Sequence, residues 1–344
     1  MSTTLSQLFP PPPAFTPTSL IDLSQKVYIL THAPSPHAHA LAKILYTLHA
    51  TLYLGASTPD AYSTAAERLK QECKDSKGTL KPFVADMADL ATLKPAVERF
   101  LRDEWRLDVL FLNDGGKMPA GSGGQNVNAG GCDTDMGVNC LAPFLLATLL
   151  GPRLAATASH FCHPNPSIRV IWVSTMLSLG TPAGGVQFDD ATGAPKQLRG
   201  PESYMQSKAG VYFLATEFAR RQGDVKGGDE ADELDRHTLR NSNPSGVQHV
   251  VVNPGFTAAS LQSSLPAPLR GLASAVAKRP EFGAYTELYA GLGPDVRSGD
   301  FVVPWGRKGD VPTHIKDNTN DINGGKSVSK TFYEWCEGQV QPYV

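Results

Sequence analysis

Short apolar runs separated by longer amphipathic segments organise most of the chain. The runs KVYILT and IRVIWV consist almost wholly of apolar and β-branched residues, which is typical of strands that are buried on both faces of a parallel sheet. Six runs of this kind predict six strands. They lie at residues 26–31, 50–56, 80–84, 107–112, 168–173 and 246–253.

Helical patterns fill most of the intervals between these strands. The predicted helices lie at residues 38–49, 61–77, 90–104, 134–157 and 203–222. Strands and helices that alternate in this way require right-handed crossovers and a parallel sheet. We therefore predict an α/β fold, a doubly wound parallel sheet of the Rossmann-like kind, in a single domain with insertions that spans residues 24–344.

Three segments stand outside this alternation. Residues 1–23 contain the run Pro10 to Pro13 and predict a proline-rich N-terminal arm that lies over the surface or is disordered. Residues 223–245 are rich in Asp, Glu, Gly and Asn and predict a polar surface insertion. Residues 256–290 follow the sixth strand, where we predict a substrate lid over a hydrophobic small molecule.

Composition excludes several classes of function. The formal net charge of the 344-residue chain is −2 and no basic cluster is present, so the sequence gives no reason to expect a nucleic-acid partner. No run approaches the roughly 20 apolar residues that cross a bilayer, and the N-terminus lacks a positively charged leader. The five cysteines have no metal-ligand spacing. We expect a cytoplasmic protein with reduced thiols and no metal site.

Distinctive polar motifs follow the predicted strands, at the edge where doubly wound sheets bind ligands. In chain order they are Asn113-Asp114-Gly115, Val138-Asn139, Val173-Ser174-Thr175, Tyr204-Met205-Gln206-Ser207-Lys208 and Asn253-Pro254-Gly255. This ordered series resembles the short-chain dehydrogenase/reductase family over roughly residues 24 to 310. The C-terminal stretch is similar to longer fungal members, many of which work in natural-product (secondary metabolite) pathways.

The resemblance implies a catalytic group of four residues. Tyr204 is the expected acid/base, and Lys208, one helical turn later, stabilises its phenolate because a cation favours the charged form of a neighbouring acid. The hydroxyl that holds the substrate oxygen is expected at Thr175 rather than Ser174. Asn139 is the expected relay residue, which passes protons through water.

The loop that binds the cofactor in this family departs from the family pattern. That loop reads T-G-x-x-x-G-x-G, whereas this chain has His32, Pro36 and Ala38 at the three glycine positions. Proline offers no backbone N–H to a phosphate, and a histidine side chain stands where the turn requires none. Asp114 places a carboxylate where a small apolar residue normally lies against the cofactor, and Ser57 stands near the place of a phosphate-binding arginine.

Other cofactor positions are retained, and they matter only if a nucleotide binds. Asp86 resembles the adenine contact of the family, and the remaining positions are Asn113, Gly115, Pro254 and Gly255.

Three functions remain open from these residues. The favoured hypothesis is an enzyme without a cofactor that isomerises, dehydrates or cyclises a hydrophobic molecule, or guides a pericyclic step. The first alternative is an NADP(H)-dependent carbonyl reductase or alcohol dehydrogenase with a remodelled phosphate loop. The second is a non-catalytic binding protein. Relatives often pair through the helices at 134–157 and 203–222, so a homodimer is also open.

Overall fold

A computed structural model of the chain describes most residues. They are 6–7, 9–113, 134–161, 168–175, 180–181, 184–222, 246–255, 278–321 and 325–344. Asp114, Gly115 and the insertion at 223–245 lie outside the described residues, as do residues 256–277 of the predicted lid.

Eight strands form one sheet with the spatial order β3-β2-β1-β4-β5-β6-β7-β8. The strands are β1 Val27–Leu30, β2 Thr51–Ala56, β3 Thr79–Val84, β4 Val109–Leu112, β5 Ile168–Val173, β6 Val247–Val252, β7 Phe301–Val303 and β8 Arg307–Gly309. All neighbouring pairs are parallel except β7 and β8, which form an antiparallel hairpin. The doubly wound parallel sheet predicted from the sequence is confirmed, and the order reverses between β1 and β4.

Helices cover both faces of this sheet. They are α1 Pro36–Thr47, α2 Pro59–Glu72, α3 Leu93–Asp103, α4 Thr134–Phe161, α5 Pro201–Gln222, α6 Pro280–Leu292, α7 Thr313–Lys316 and α8 Val328–Val340. Short 3₁₀ turns lie at Pro17–Ser19, Leu90–Thr92, Asp317–Thr319 and Gln341–Tyr343. The five predicted helices are all present, with ends shifted by a few residues. The sequence reading assigned no element beyond residue 290, so it missed β7, β8, α7 and α8.

Successive residues of the central strands pack on opposite faces of the sheet, in two separate hydrophobic cores. Tyr28 and Leu30 pack with α1 and α6 on one face, whereas Ile29 packs with α3 and α4 on the other. Because side chains alternate along a strand and both faces are covered, these strands must be apolar at every position. This explains why they appear in the sequence as continuous apolar runs.

Helix α4 is long and apolar enough to cross a membrane by length and composition alone. Of its most apolar 18-residue window 61% is buried in the protein, and the helix contacts α3, α8 and β5. Leu145, Leu146 and Leu150 are fully buried. The apolar character of α4 is thus explained by its place in the core.

The structure describes part of each of the two segments predicted as arm and lid. Beyond residue 9 the arm runs along the protein, where Phe15 packs edge-on against Tyr289 and Leu23 donates its N–H to the Leu48 carbonyl. Helix α6 occupies residues 280–292, and its Ala284 and Leu288 are fully buried beside α1. That helix is part of the core, so the prediction of a lid does not extend to it.

His249 on β6 makes the stability of the fold depend measurably on pH. Its Nδ1 accepts from Trp172 Nε1 at 3.1 Å, its Nε2 lies 3.0 Å from Gln222 Oε1, and burial lowers its pKa to about 3. The unfolded chain binds the proton below about pH 6.5 and the folded chain does not, so stability falls as the pH drops through that window. We expect His249 to contribute a loss of about 2 kcal/mol at pH 5.

Urea unfolding at neutral pH and at pH 5 checks this prediction, with His249→Gln as the comparison. The variant should lose less stability between the two pH values than the wild type, whatever its stability at neutral pH. An equal loss in both proteins would show that His249 does not carry the effect.

Candidate active site

The carboxyl ends of β4, β5 and β6 meet at one edge of the sheet. Ser174, which follows β5, donates its N–H to the carbonyl of Val252 at the end of β6, at 2.8 Å. On the other side Thr31, which follows β1, donates its hydroxyl to the carbonyl of Asn113, at 2.8 Å. The motifs singled out from the sequence therefore stand at one continuous edge, where parallel sheets of this kind bind ligands.

Tyr204 and Lys208 lie on the same side of α5, as their spacing of four residues requires. The Lys208 ammonium is 5.4 Å from the centroid of the Tyr204 ring and donates to the Val173 carbonyl at 3.1 Å. The Lys208 side chain is completely buried, and Tyr204 is 8% exposed. A buried cation held this close to a phenol favours the negative charge that the phenol acquires when it releases a proton.

Asn139 joins this pair through both ends of its amide. Its Oδ1 lies 3.4 Å from Lys208 Nζ, and its Nδ2 donates to the Ser207 hydroxyl at 2.9 Å. Ser207 in turn donates to the Tyr204 carbonyl at 2.8 Å. Asn139 lies in a single π-helical turn, Gly137–Leu141, within α4, and such turns are frequent at functional sites.

Ser207 is a residue that the sequence reading missed. It links Asn139 to the backbone of Tyr204, so it fixes the amide that contacts Lys208. Its place beside Lys208 in the Tyr204–Lys208 motif was the only signal, because nothing local reveals a partner on another helix.

The two hydroxyls after β5 have different surroundings. Ser174 is 4% exposed and donates to the Lys208 carbonyl at 2.9 Å, so its hydroxyl fastens α5 to the sheet. Thr175 is half-buried and lies one residue further beyond the strand. Ser174 thus has a structural role, and Thr175 remains the predicted hydroxyl for the substrate oxygen.

A small cavity borders Lys208 on its inner side. Asn113, Asn139, Trp172 and Val173 contribute to its wall. Among the residues that the structure describes, none forms a hydrogen bond with the Asn113 side chain, which is 1% exposed. A cavity with three polar side chains is suited to an ordered water, because water in protein interiors needs two to four polar partners.

The loop after β1 has six backbone N–H groups, and three of them are donated to carbonyls of the protein. Thr31, Ala33 and Ser35 donate their N–H groups to the carbonyls of Phe111, Gly55 and His32, respectively. Pro34 and Pro36 have no N–H to donate. Five of the eight residues 31–38 therefore offer no backbone donor to a phosphate, although phosphate binding at a helix N-terminus depends on such donors.

The conformation of this loop nevertheless retains features of a glycine turn. His32 has a φ of 51°, in the left-handed region that glycine adopts without strain. Pro36 is the first residue of α1, a position where proline is well tolerated, and Ala38 is fully buried. The loop thus fits the fold with other residues at the three positions where the family has glycine.

His37 and His39 lie close together in the sequence after this loop but contact different helices. His39 lies 3.4 Å from Glu72 on α2, and burial is the main cause of its lowered pKa. Hydrogen bonds from Lys43 and Arg68 lower the pKa of Glu72 to about 2. His37 instead lies 3.8 Å from the buried Glu287 on α6. Their side chains face different helices.

The remaining predicted cofactor positions are spread along the same edge. Asp86 is exposed and accepts from the N–H of Ala88, and Ser57 is exposed beyond β2. Pro254 is half-buried. Gly255 has a φ of 79°, and a Cβ there would meet the Trp305 ring at 2.7 Å. None of these residues contacts the Tyr204 group in the part of the chain that is described.

Comparison with known proteins gives consistent relatives. The chain is 34% identical to a short-chain dehydrogenase/reductase of Phomopsis amygdali, over 98% of this chain and 96% of the relative. It is 32% identical to the short-chain dehydrogenase/reductase pkfC of Emericella nidulans, over 97% and 98%. No family model matches the chain.

Solved structures show the same fold. A short-chain dehydrogenase/reductase of Serratia marcescens superposes with a TM-score of 0.57 at 18% identity, over 83% of this chain and 98% of that one. The complex of Pseudomonas aeruginosa RhlG with NADP superposes with a TM-score of 0.55 at 17% identity, over 82% and 95%.

Proposed function

The chain belongs to the short-chain dehydrogenase/reductase family, and from that premise we propose an enzyme that moves protons on an apolar carbonyl or enol without nicotinamide redox chemistry. The observation that carries this proposal is a contrast within one edge of the sheet. Tyr204, Lys208 and Asn139 are brought together, whereas three of the eight residues 31–38 donate their backbone N–H groups within the protein and two more are prolines.

Tyr204 is the group that exchanges a proton with the substrate oxygen in this proposal. Its phenol protonates a carbonyl oxygen while the neighbouring carbon loses a proton to water, which converts the carbonyl to an enol. Lys208 stabilises the phenolate formed in this step. The proton returns to Tyr204 through water near Asn139 and Lys208, and Thr175 holds the substrate oxygen.

Such a centre suits isomerisation, dehydration, cyclisation or a polarised pericyclic step. Each of these needs a proton donor beside an oxygen and a base for the neighbouring carbon, and none needs an external reductant. The similarity to fungal relatives supports a hydrophobic natural-product intermediate as the substrate class.

An NADP(H)-dependent carbonyl reductase is the second candidate. It is favoured by solved structures of the same fold that contain the nucleotide, including RhlG with NADP and a Sphingobium yanoikuyae dehydrogenase with NADPH. Against it, five of the eight residues 31–38 have no backbone N–H to offer a pyrophosphate. The two candidates share Tyr204 and Lys208 and differ in the nucleotide.

One experiment separates these candidates. The purified protein is titrated with NADPH while fluorescence is followed, and it is incubated in D₂O with bicyclic ketones such as 1-decalone while NMR records deuterium at the carbons beside the carbonyl. We expect exchange without nucleotide, unchanged by added NADPH, and no binding of NADPH at micromolar concentration.

A heat-unfolded sample serves as the control for exchange catalysed by solvent. Micromolar binding of NADPH together with its consumption by any ketone in the panel would overturn the proposal in favour of the reductase. Absence of exchange with every ketone would count against the proton-transfer role.

A further inference from the structure

Residues 6–7 of the N-terminal arm lie at the same edge of the sheet as the Tyr204 group. Asn253, which directly follows β6, donates its Nδ2 to Gln7 Oε1 at 3.0 Å. Arg307 of β8 donates to the Ser6 carbonyl at 2.8 Å. The hydrogen bonds from Asn253 and from Arg307 therefore hold the arm beyond the carboxyl end of β6.

The orientation of the Gln7 amide follows from its partner. Asn253 Oδ1 already accepts the N–H of Gly255 at 3.0 Å, so Asn253 faces Gln7 with its donor group. Gln7 therefore accepts this hydrogen bond with its carbonyl oxygen, Oε1. Its amino group, Nε2, keeps two N–H donors. In the described part of the chain no acceptor pairs with this amino group, and Gln7 is 9% exposed.

Asn253, the partner of Gln7, lies one strand away from the proposed catalytic hydroxyl. It follows Val252, whose carbonyl accepts the N–H of Ser174, and Thr175 comes next. A Cβ on Gly255, two residues after Asn253, would meet the ring of Trp305, which packs against Phe282 with centroids 5.4 Å apart. The edge therefore combines a polar donor with an apolar wall, which suits an apolar molecule carrying a second oxygen.

We propose that Gln7 is a specificity-determining residue, whose Nε2 donates to a second oxygen of the substrate while the Tyr204 group acts on the first. The inference rests on the proposed function, because it names a further contact of the same substrate. It makes the N-terminal arm part of the ligand site. The ligand class is a bicyclic or larger apolar molecule with two oxygens.

Two substitutions of Gln7 distinguish its role in anchoring the arm from its role in binding the ligand. Gln7→Glu keeps an acceptor for Asn253 but removes the donors, and Gln7→Leu removes both. Gln71→Leu, at an exposed position on α2, is the matched control for the change of side chain. Ligand-observed NMR measures the affinity of each protein for 1-decalone and for decalin-1,5-dione, which differ in the second oxygen.

We expect Gln7→Leu and Gln7→Glu to weaken binding of the diketone about tenfold, since one hydrogen bond to a buried donor is lost. Binding of 1-decalone should be unchanged, and the Gln71→Leu control should match the wild type with both ketones. If Gln7→Leu and the wild type bind every ketone alike, including binding none, the inference is overturned.

Hydrogen exchange at residues 9–23 is the second measurement. Faster exchange in Gln7→Leu with unaltered ketone binding would show that Gln7 anchors the arm only, which also overturns the inference. Binding does not depend on turnover, so these outcomes are distinguishable from failure of the proposed function, whose signs are NADPH consumption or absence of deuterium exchange.

Discussion

Replacing Tyr204 by phenylalanine should lower the rate of deuterium exchange into a reactive ketone about 1,000-fold, in line with the usual contribution of a positioned general acid or base. The change removes one oxygen and keeps the ring, which packs 5.4 Å from the Lys208 ammonium. Stability should therefore change little, because the ring still fills its place. The measurement is the NMR exchange rate per mole of folded protein.

Tyr212→Phe is the matched control for this prediction. Tyr212 lies two turns further along α5, and burial raises the pKa of its phenol. The same loss of a hydroxyl from the same helix should leave exchange unchanged. If Tyr204→Phe retains the wild-type rate, or if Tyr212→Phe loses as much, the assignment of Tyr204 as the acid/base fails.

Replacing Arg169 by methionine should lower the free energy of unfolding by about 3 kcal/mol, since hydrogen bonds from a charged donor are lost and buried carbonyls remain without a partner. The guanidinium donates to the carbonyls of Ala290 and Gly293 at 2.8 and 2.7 Å, at the carboxyl end of α6. Burial lowers the pKa of Arg169 to about 10, so the side chain is still charged at neutral pH.

Urea unfolding of Arg169→Met and Arg169→Lys checks this expectation. The lysine variant keeps the charge but lacks the two guanidinium nitrogens that reach both carbonyls at once. Its stability should therefore lie between that of the methionine variant and that of the wild type. A methionine variant as stable as the wild type would show that the cost of burying the guanidinium cancels what its hydrogen bonds contribute.

The predictable parts of the molecule are those that leave a local pattern. Continuous apolar runs predicted β1, β2, β4, β5 and β6 because each of these strands is buried on both faces, whereas β3 lies at the edge of the sheet and is largely exposed or half-buried. The spacing of Tyr204 and Lys208 predicted a shared helix face, and the structure places Asn139 beside them. The strands β7 and β8 have three residues each, too few to produce a recognisable period.

The contacts that could not be predicted join segments far apart in the chain. Gln7 and Asn253 are separated by 246 residues, and no property of residues 1–23 indicates that one amide of the arm reaches the end of β6. The side chains of His37 and His39 are two residues apart yet contact different helices, because the helical turn between them directs them apart. A motif indicates which residue types a site contains, whereas the neighbours of each side chain depend on how distant segments of the chain pack together.

The left-handed turn at His32 has a consequence for protein engineering. Gly55 on the neighbouring strand approaches so closely that a Cβ there would lie 2.7 Å from the Thr31 backbone. The two strands thus approach too closely at this junction for any side chain at position 55. A designer who wishes to install a new ligand specificity on this scaffold has to keep glycine at position 55 and a residue that tolerates the left-handed region at position 32.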